Sequence, residues 1–127
     1  MLLEGLIAIL IFSLGILAIV GMQAAAVRNV GEAKYRSEAS LLANRLLAGM
    51  WASDRTNATL TTRFRPGGAD YDNWRNAVAD ALPQVDTYPP EVLIDPDGIV
   101  TITVKWRAPS APAGSDEHKY TAVAQIK

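Results

Sequence analysis

The sequence MLLEGLIAILIFSLGILAIVGMQ, residues 1–23, decides the fold of this chain. Glu4 is its only charged side chain, and the next charged residue is Arg28. Written as a helix, residues 5–27 would be about 35 Å long at about 1.5 Å per residue. The hydrocarbon core of a bilayer is about 30 Å thick, so the segment is long enough to span it. We therefore predict a membrane-spanning helix, and the carboxylate at its start needs a separate explanation.

Two alternatives to a membrane helix are a cleavable secretory signal and the buried helix of a soluble protein. The run Ala24 to Val27 offers an Ala-x-Ala-like cleavage site. Secretory signals, however, begin with Lys or Arg and have apolar cores of about 7–15 residues. This segment begins with Glu4 and its apolar run is longer. The pattern therefore favours a span over both alternatives.

The composition narrows the class of protein. The 127 residues include 12 Lys and Arg, 13 Asp and Glu, and no cysteine. This length suits one domain. A net charge of −1 indicates no basic surface for nucleic acid, so no nucleic-acid partner is expected. Without cysteine the chain forms no disulfide and no thiolate metal site.

The helix is predicted to continue beyond the membrane, from about Leu2 to Ala52. No proline interrupts it, and the apolar residues of its later part recur at helical spacing: Val27, Val30, Leu41, Leu42, Leu46, Met50 and Trp51. We divide the chain into a transmembrane half (1–27), a helix half that packs on a head (28–52) and a small α+β head (53–127). Gly15, Gly21 and Ala25 are predicted to support helix packing, because Gly21-xxx-Ala25 is a small-xxx-small pair. The alternative is that glycine is simply frequent in membrane helices.

The first part of the head is predicted to hold a loop and a short helix. The stretch SDRTNATLTTRFRPGGADYD, residues 53–72, is interpreted as a loop with a short strand near Leu60 to Phe64. Asp72 is predicted to cap the helix that follows. That helix carries an apolar stripe, which is predicted to pack in the head core: Trp74, Ala77, Val78, Ala81 and Leu82.

The second part of the head is predicted to form a three-stranded antiparallel sheet. In EVLIDPDGIVTITVKWR, residues 91–107, the segment Asp95 to Gly98 suits a type I turn between two strands. In the second strand one face is apolar and is predicted to lie in the core: Val100, Ile102, Val104 and Trp106. A third strand follows in residues 118–127, with Tyr120, Ala122, Ala124 and Ile126 on one face. The expected fold class is α+β, with a long N-terminal helix and a small antiparallel sheet laid on its second half.

The residues with chemical potential do not form a catalytic pattern. His118 is the only histidine, and Ser115 precedes it, but a catalytic triad is defined by spatial geometry and not by sequence proximity. The turn at Asp95 lacks most of the ligands of a calcium loop. We therefore predict that the chain is not an enzyme, with no catalytic, cofactor-binding or metal-binding residues. Four arginines near aromatic residues are interpreted as a solvated face, with an acidic partner or nucleic acid as the alternative: Arg55, Arg63, Arg65 and Arg75.

An apolar start with one Glu, an uncharged helix and a small sheet resemble the type IV pilins. The opening residues are especially similar to the PilV-type minor pilins, through the continuation ASLLANRLLAGMW, residues 39–51. In the head only Trp74 and the strand ending VKW are similar to the family. The resemblance implies a leader cut after Gly, N-methylation of the new N-terminus and a carboxylate at mature position five. Glu4 would be that carboxylate, so Met1 would be the second mature residue.

The resemblance also implies an orientation. Arg28, Lys34 and Arg36 follow the span, and the positive-inside rule applied to them alone places the head in the cytoplasm. Members of the family have a basic leader, which would hold the N-terminus inside and place the head in the periplasm. Because a charge in a low-dielectric environment is costly unless it is paired, Glu4 is expected to meet the N-terminal ammonium of a neighbouring subunit.

The function that the resemblance implies is that of a minor pilin that helps initiate or cap a type IV pilus. Its partners would be other minor pilins and the major pilin, with a tip adhesin as a further partner. The protein would lie in the bacterial inner membrane before assembly and then in the pilus, at its tip, with roles in adhesion, twitching motility and DNA uptake. Two alternatives stay open, a pseudopilin of a type II secretion system and a single-span membrane protein whose periplasmic head binds a ligand.

Overall fold

A computed structural model describes residues 1–127 of the chain. Its elements are α1 (Leu2–Ala52), α2 (Asn57–Arg63), α3 (Ala69–Ala81), β1 (Glu91–Ile94), β2 (Ile99–Trp106) and β3 (His118–Gln125). The predicted α+β class, a long N-terminal helix followed by a small antiparallel sheet, is confirmed. The chain separates into two units, the N-terminal unit Met1–Glu32 and the head unit Ala33–Lys127, which are described in turn.

The N-terminal unit is helical because nothing in its sequence interrupts a helix. It contains no proline, and its glycines weaken a helix only locally, by about 1 kcal/mol each relative to alanine. The one hydroxyl in the apolar run is accommodated inside the helix, since Ser13 Oγ donates a hydrogen bond of 2.7 Å to the carbonyl of Ile9. A polar side chain that bonds the preceding turn in this way is compatible with an apolar environment.

The sheet of the head unit has the order β1-β2-β3, and both neighbouring pairs are antiparallel. The predicted turn between β1 and β2 is confirmed. The N–H of Gly98 donates to the Asp95 carbonyl at 2.9 Å, and the N–H of Asp97 donates to Asp95 Oδ1 at 2.9 Å. Gly98 has φ of +81° and a Cβ there would lie 2.4 Å from the carbonyl oxygen of Ile126, so the turn requires glycine.

The core of the head unit lies between the apolar face of β2 and the helices. The alternation predicted for β2 is present, with Val100, Ile102, Val104 and Trp106 buried. They belong to one apolar cluster with the α1 residues Leu42, Leu46 and Met50. The period of two in the strand and the period near 3.6 in the helix therefore present complementary faces to each other.

Helix α3 joins the same core and is fixed to α1 by a hydrogen bond. Trp74 Nε1 donates to the carbonyl of Leu42 at 2.9 Å, and both partners are buried. The predicted stripe is present, with Trp74, Val78 and Leu82 buried and the two alanines partly buried against them. The prediction that Asp72 caps α3 was wrong. Gly68 is the cap, and Asp72 lies inside the first turn, where a carboxylate favours the helix dipole.

The prediction of a short strand near Leu60 to Phe64 was also wrong, because this segment belongs to α2 and its C-terminal cap. Helical spacing places Leu60 and Phe64 on one face, and both are buried. The hydroxyls of Thr61 and Thr62 donate to the carbonyls of Asn57 and Ala58, each at 2.8 Å. These local bonds offset the preference of threonine for strands.

Candidate functional site

The first candidate site is the apolar surface of the N-terminal unit. Its large side chains are exposed, for example Leu3 and Phe12, both at 71%. Soluble monomers rarely expose contiguous apolar patches larger than about 300–600 Å². By length and composition, α1 is the one helix of the chain that is apolar enough to cross a membrane. This unit is therefore a candidate membrane-spanning segment.

Glu4 lies in the first turn of α1, at the start of this apolar surface. Its side chain is exposed, and the residues on both sides of it in the sequence are apolar or glycine. A carboxylate in the first turn stabilises a helix through the dipole by about 0.3–1 kcal/mol in water. The same position also leaves the carboxylate accessible to a cation at the helix start.

The three small residues predicted to support helix packing do not share one face of the helix. At about 100° per residue, Gly21 and Ala25 lie about 40° apart around the axis, whereas Gly15 lies about 120° from Gly21. A Cβ built at Gly15 or Gly21 meets no atom within 4 Å. The helix therefore brings Gly21 and Ala25 together as one shallow surface and places Gly15 on another.

The residues predicted for the head core are brought together by the fold. They have exposed fractions of 6% or less: Trp74, Val100, Ile102, Val104 and Trp106. Trp106 Nε1 has no hydrogen-bond partner, and the Trp106 ring stacks on His118 with centroids 5.9 Å apart. These side chains form the interior of the head unit, and Trp74 also borders a surface cavity together with Leu46 and Phe64.

The four arginines of the proposed solvated face are dispersed over separate contacts within the chain. Arg55 lies over the ring of Trp51 at 5.7 Å, and Arg65 Nη2 donates to the carbonyl of Ile94 at 3.1 Å. The other two form surface ion pairs, Arg63 with Asp70 and Arg75 with Asp86. Pairs of this kind contribute about 0–1 kcal/mol. The arginines thus have intramolecular roles and do not form one basic patch.

The polar residues near His118 are engaged in the loop that precedes β3. Ser115 Oγ donates to the carbonyl of Pro112 at 2.8 Å, and Arg107 Nη2 donates to the same carbonyl at 2.6 Å. The hydroxyl of Ser115 therefore serves loop closure, while the imidazole of His118 lies against Trp106. That the chain is not an enzyme stays a prediction.

Sequence reasoning missed Tyr71, a buried residue of α3. Its hydroxyl donates to the carbonyl of Pro90 at 2.6 Å and ties α3 to the segment that enters β1. Burial raises the pKa of Tyr71, while the positive charge of Arg75 acts in the opposite direction. The signal was present in the sequence, because Tyr71 continues the stripe of Trp74 and Val78 at positions i, i+3 and i+7.

Comparison with known proteins gives no match of the chain to a family model, to a curated protein or to a solved structure. The features of the chain that bear on its function are the apolar segment, Glu4 and the architecture of the head unit.

Proposed function

We propose that this chain is a minor pilin, a membrane-anchored subunit that helps initiate or cap a type IV pilus through contacts with other pilins. The observation that carries the proposal is Glu4. It is the only charged side chain in residues 1–27, and it stands in the first turn of a helix whose apolar side chains are exposed.

A single membrane span does not need this carboxylate. Leucine or alanine in its place would insert at lower cost, since a charge costs about 2.5–3.5 kcal/mol at mid-membrane and a smaller amount at the end of the helix, where Glu4 lies. Glu4 therefore favours a role that follows insertion. When apolar helices assemble side by side, a carboxylate that leaves water needs a counter-charge, because an unpaired buried ion is costly. The N-terminal ammonium of a neighbouring subunit would supply it and would select one axial stagger between the helices.

The two units suit two different parts of the proposed function, anchoring in the membrane and exposure to water. The N-terminal unit is suited to the inner membrane before assembly and to contacts between helices afterwards, with Gly21 and Ala25 on one close-packing surface. The head unit has an apolar core and no buried polar or charged residue, which suits a domain in water outside the membrane. We assign it to the periplasm from the resemblance to the pilins. We place the assembled subunit at the pilus tip, together with other minor pilins, the major pilin and an adhesin.

The decisive test is Glu4→Gln, which keeps the shape of the side chain and removes its charge. We expect the variant to reach the inner membrane at the wild-type level and to co-purify with partner pilins in smaller amounts. Glu117→Gln, in the exposed loop of the head unit, is the matched control and should leave recovery unchanged. Equal recovery of partners with wild type and Glu4→Gln would show that Glu4 is a solvated bystander.

A gene deletion tests the role in initiation separately. We expect fewer surface pili while the major pilin stays in the membrane, because the subunit would act at the start of assembly. Normal piliation in the deletion strain would contradict this role and would leave a pilus tip function or another membrane function to be examined.

A further inference from the structure

The two edges of the sheet in the head unit differ in how they are protected. The β1 edge is short, at four residues, and Pro89 and Pro90 precede it. Its Ile94 carbonyl accepts a hydrogen bond from Arg65 Nη2 at 3.1 Å. The opposite edge is β3, which has eight residues, contains no proline and pairs with β2 in unbroken register. Proteins commonly blunt an edge with proline, bulges, short strands or lysine, and of these β3 has only one lysine near its start, Lys119.

The register identifies which backbone groups of β3 are open. Ile126 N–H donates to the Gly98 carbonyl at 2.7 Å, so the even-numbered residues of this strand face β2. In an antiparallel pair the alternate residues direct their N–H and C=O groups away from the partner. We call these residues the β3 edge: Lys119, Thr121, Val123 and Gln125. All of them are exposed, and no hydrogen bond of the head unit uses their outward backbone groups.

The one charged residue of the β3 edge, Lys119, has no counter-charge within the head unit. Lys119 lies directly opposite Lys105 in the register. Lys105 forms an ion pair with Glu91, on its other side, whereas Lys119 has no ion pair in the head unit. Like charges directly opposite each other destabilise a sheet. A carboxylate on the far side of Lys119 would offset this repulsion and would give Lys119 a counter-charge, as Glu91 does for Lys105.

The side chains next to Lys119 define the rest of the surface. Val123 is 64% exposed and stands in one row with Thr101 and Leu93, which is 63% exposed. Thr121 stands in the next row, opposite Thr103, and the two hydroxyl oxygens are 3.5 Å apart. A strand added here would therefore meet a positive charge at one end and an apolar side chain four residues along.

We infer that the β3 edge binds an extended segment of a partner protein, added as a fourth antiparallel strand with one carboxylate opposite Lys119 and an apolar β-branched residue opposite Val123. In strand addition the backbone bonds supply affinity and the alternate side chains supply specificity. A second copy of β3 paired antiparallel about Val123 is disfavoured, since this register would place Lys119 opposite Lys127 of the other copy. The inference does not depend on the chain being a pilin.

The test uses the full chain in nonionic detergent and a blocked, fluorescent synthetic peptide. Its alternate residues are Thr, Val, Thr and Glu in that order, with Ser between them, which matches the β3 edge in antiparallel register. We expect saturable binding by anisotropy, and binding about tenfold weaker when Lys replaces the peptide's Glu. Methylation of the peptide's inward amide nitrogens should abolish binding, because it removes the ladder donors without touching the protein.

Protein variants locate the site. Val123→Pro removes an outward N–H and no β2 ladder bond, so it should weaken binding by about tenfold. Lys119→Glu should weaken binding by about tenfold, while Lys34→Glu, an equal charge change on α1, should not. Binding unchanged by Val123→Pro or by peptide methylation would overturn the inference. The absence of binding at about 1 mM peptide, or a dimer formed through β3, would overturn it as well.

Discussion

The N-terminal unit and the head unit contain the same types of apolar residue, but the first exposes them and the second buries them. Leu10 and Phe12 in the first are 59% and 71% exposed, whereas Ile102 and Val104 in the second are fully buried. The difference lies in pattern. An uninterrupted apolar run presents an apolar surface all round the helix, which the chain itself does not cover. Alternation with polar residues presents one apolar face, which other elements of the same chain cover.

The largest expected effect comes from separating the two regions. A fragment that begins at Arg28 should fold in water without detergent, because the core of the head unit is drawn from residue 39 onward. The full chain should require detergent, since its N-terminal apolar surface is exposed. Circular dichroism and cooperative thermal unfolding of the fragment are the measurements. A fragment without sheet signal would contradict the independence of the head unit.

The next effect contrasts one truncation in each region. Trp106→Ala should lower the free energy of unfolding of the head unit by about 3–5 kcal/mol, because it empties a buried site. Phe12→Ala, on the exposed apolar helix, should change that free energy by less than about 0.5 kcal/mol. Denaturant unfolding of both variants in detergent provides the comparison. Similar losses of unfolding free energy in the two variants would show that the two units unfold as one cooperative unit.

The comparison also explains what the sequence can predict. The apolar run, the alternation of Val100 to Trp106 and the turn at Asp95 are local patterns, and each determined its element. Leu60 to Phe64 was misassigned, because threonine favours strands while the tertiary burial of Leu60 and Phe64 favours α2. Tyr71 was missed as an anchor since its acceptor, the Pro90 carbonyl, lies nineteen residues away along the chain.

The candidate sites follow the same division between local and non-local information. Glu4 is visible in the sequence as an isolated charge. That Gly15 lies on a different face from Gly21 and Ala25 follows from helical geometry. The open edge of β3 follows from the register between strands, which sequence alone does not specify. The partner of Glu4 in the proposed assembly lies outside the chain.

A smaller effect separates two buried indoles of the head unit. Trp74 Nε1 donates to the Leu42 carbonyl, whereas Trp106 Nε1 has no partner. Trp74→Phe should therefore cost about 1 kcal/mol more than Trp106→Phe, after correction for the area lost, because only the first removes a hydrogen bond. Urea unfolding of the two variants measures this difference. Equal costs would mean that the Trp74 bond contributes nothing to holding α3 on α1.

The smallest effect is a pH dependence within the head unit that the N-terminal unit should not show. The Tyr71 hydroxyl donates to the Pro90 carbonyl, and burial raises its pKa above that of the unfolded chain. The folded state then holds the phenolic proton more tightly than the unfolded state. The resulting stability is present in full below about pH 10, the ordinary tyrosine pKa, and is lost as pH rises through the folded value.

Tyr71→Phe should abolish this decline and cost about 1 kcal/mol at neutral pH, through the lost hydrogen bond. Tyr88→Phe is the matched control and should keep the decline. Thermal unfolding between pH 8 and about pH 11 is the measurement. A decline that persists in Tyr71→Phe would assign the pH dependence to other groups of the head unit.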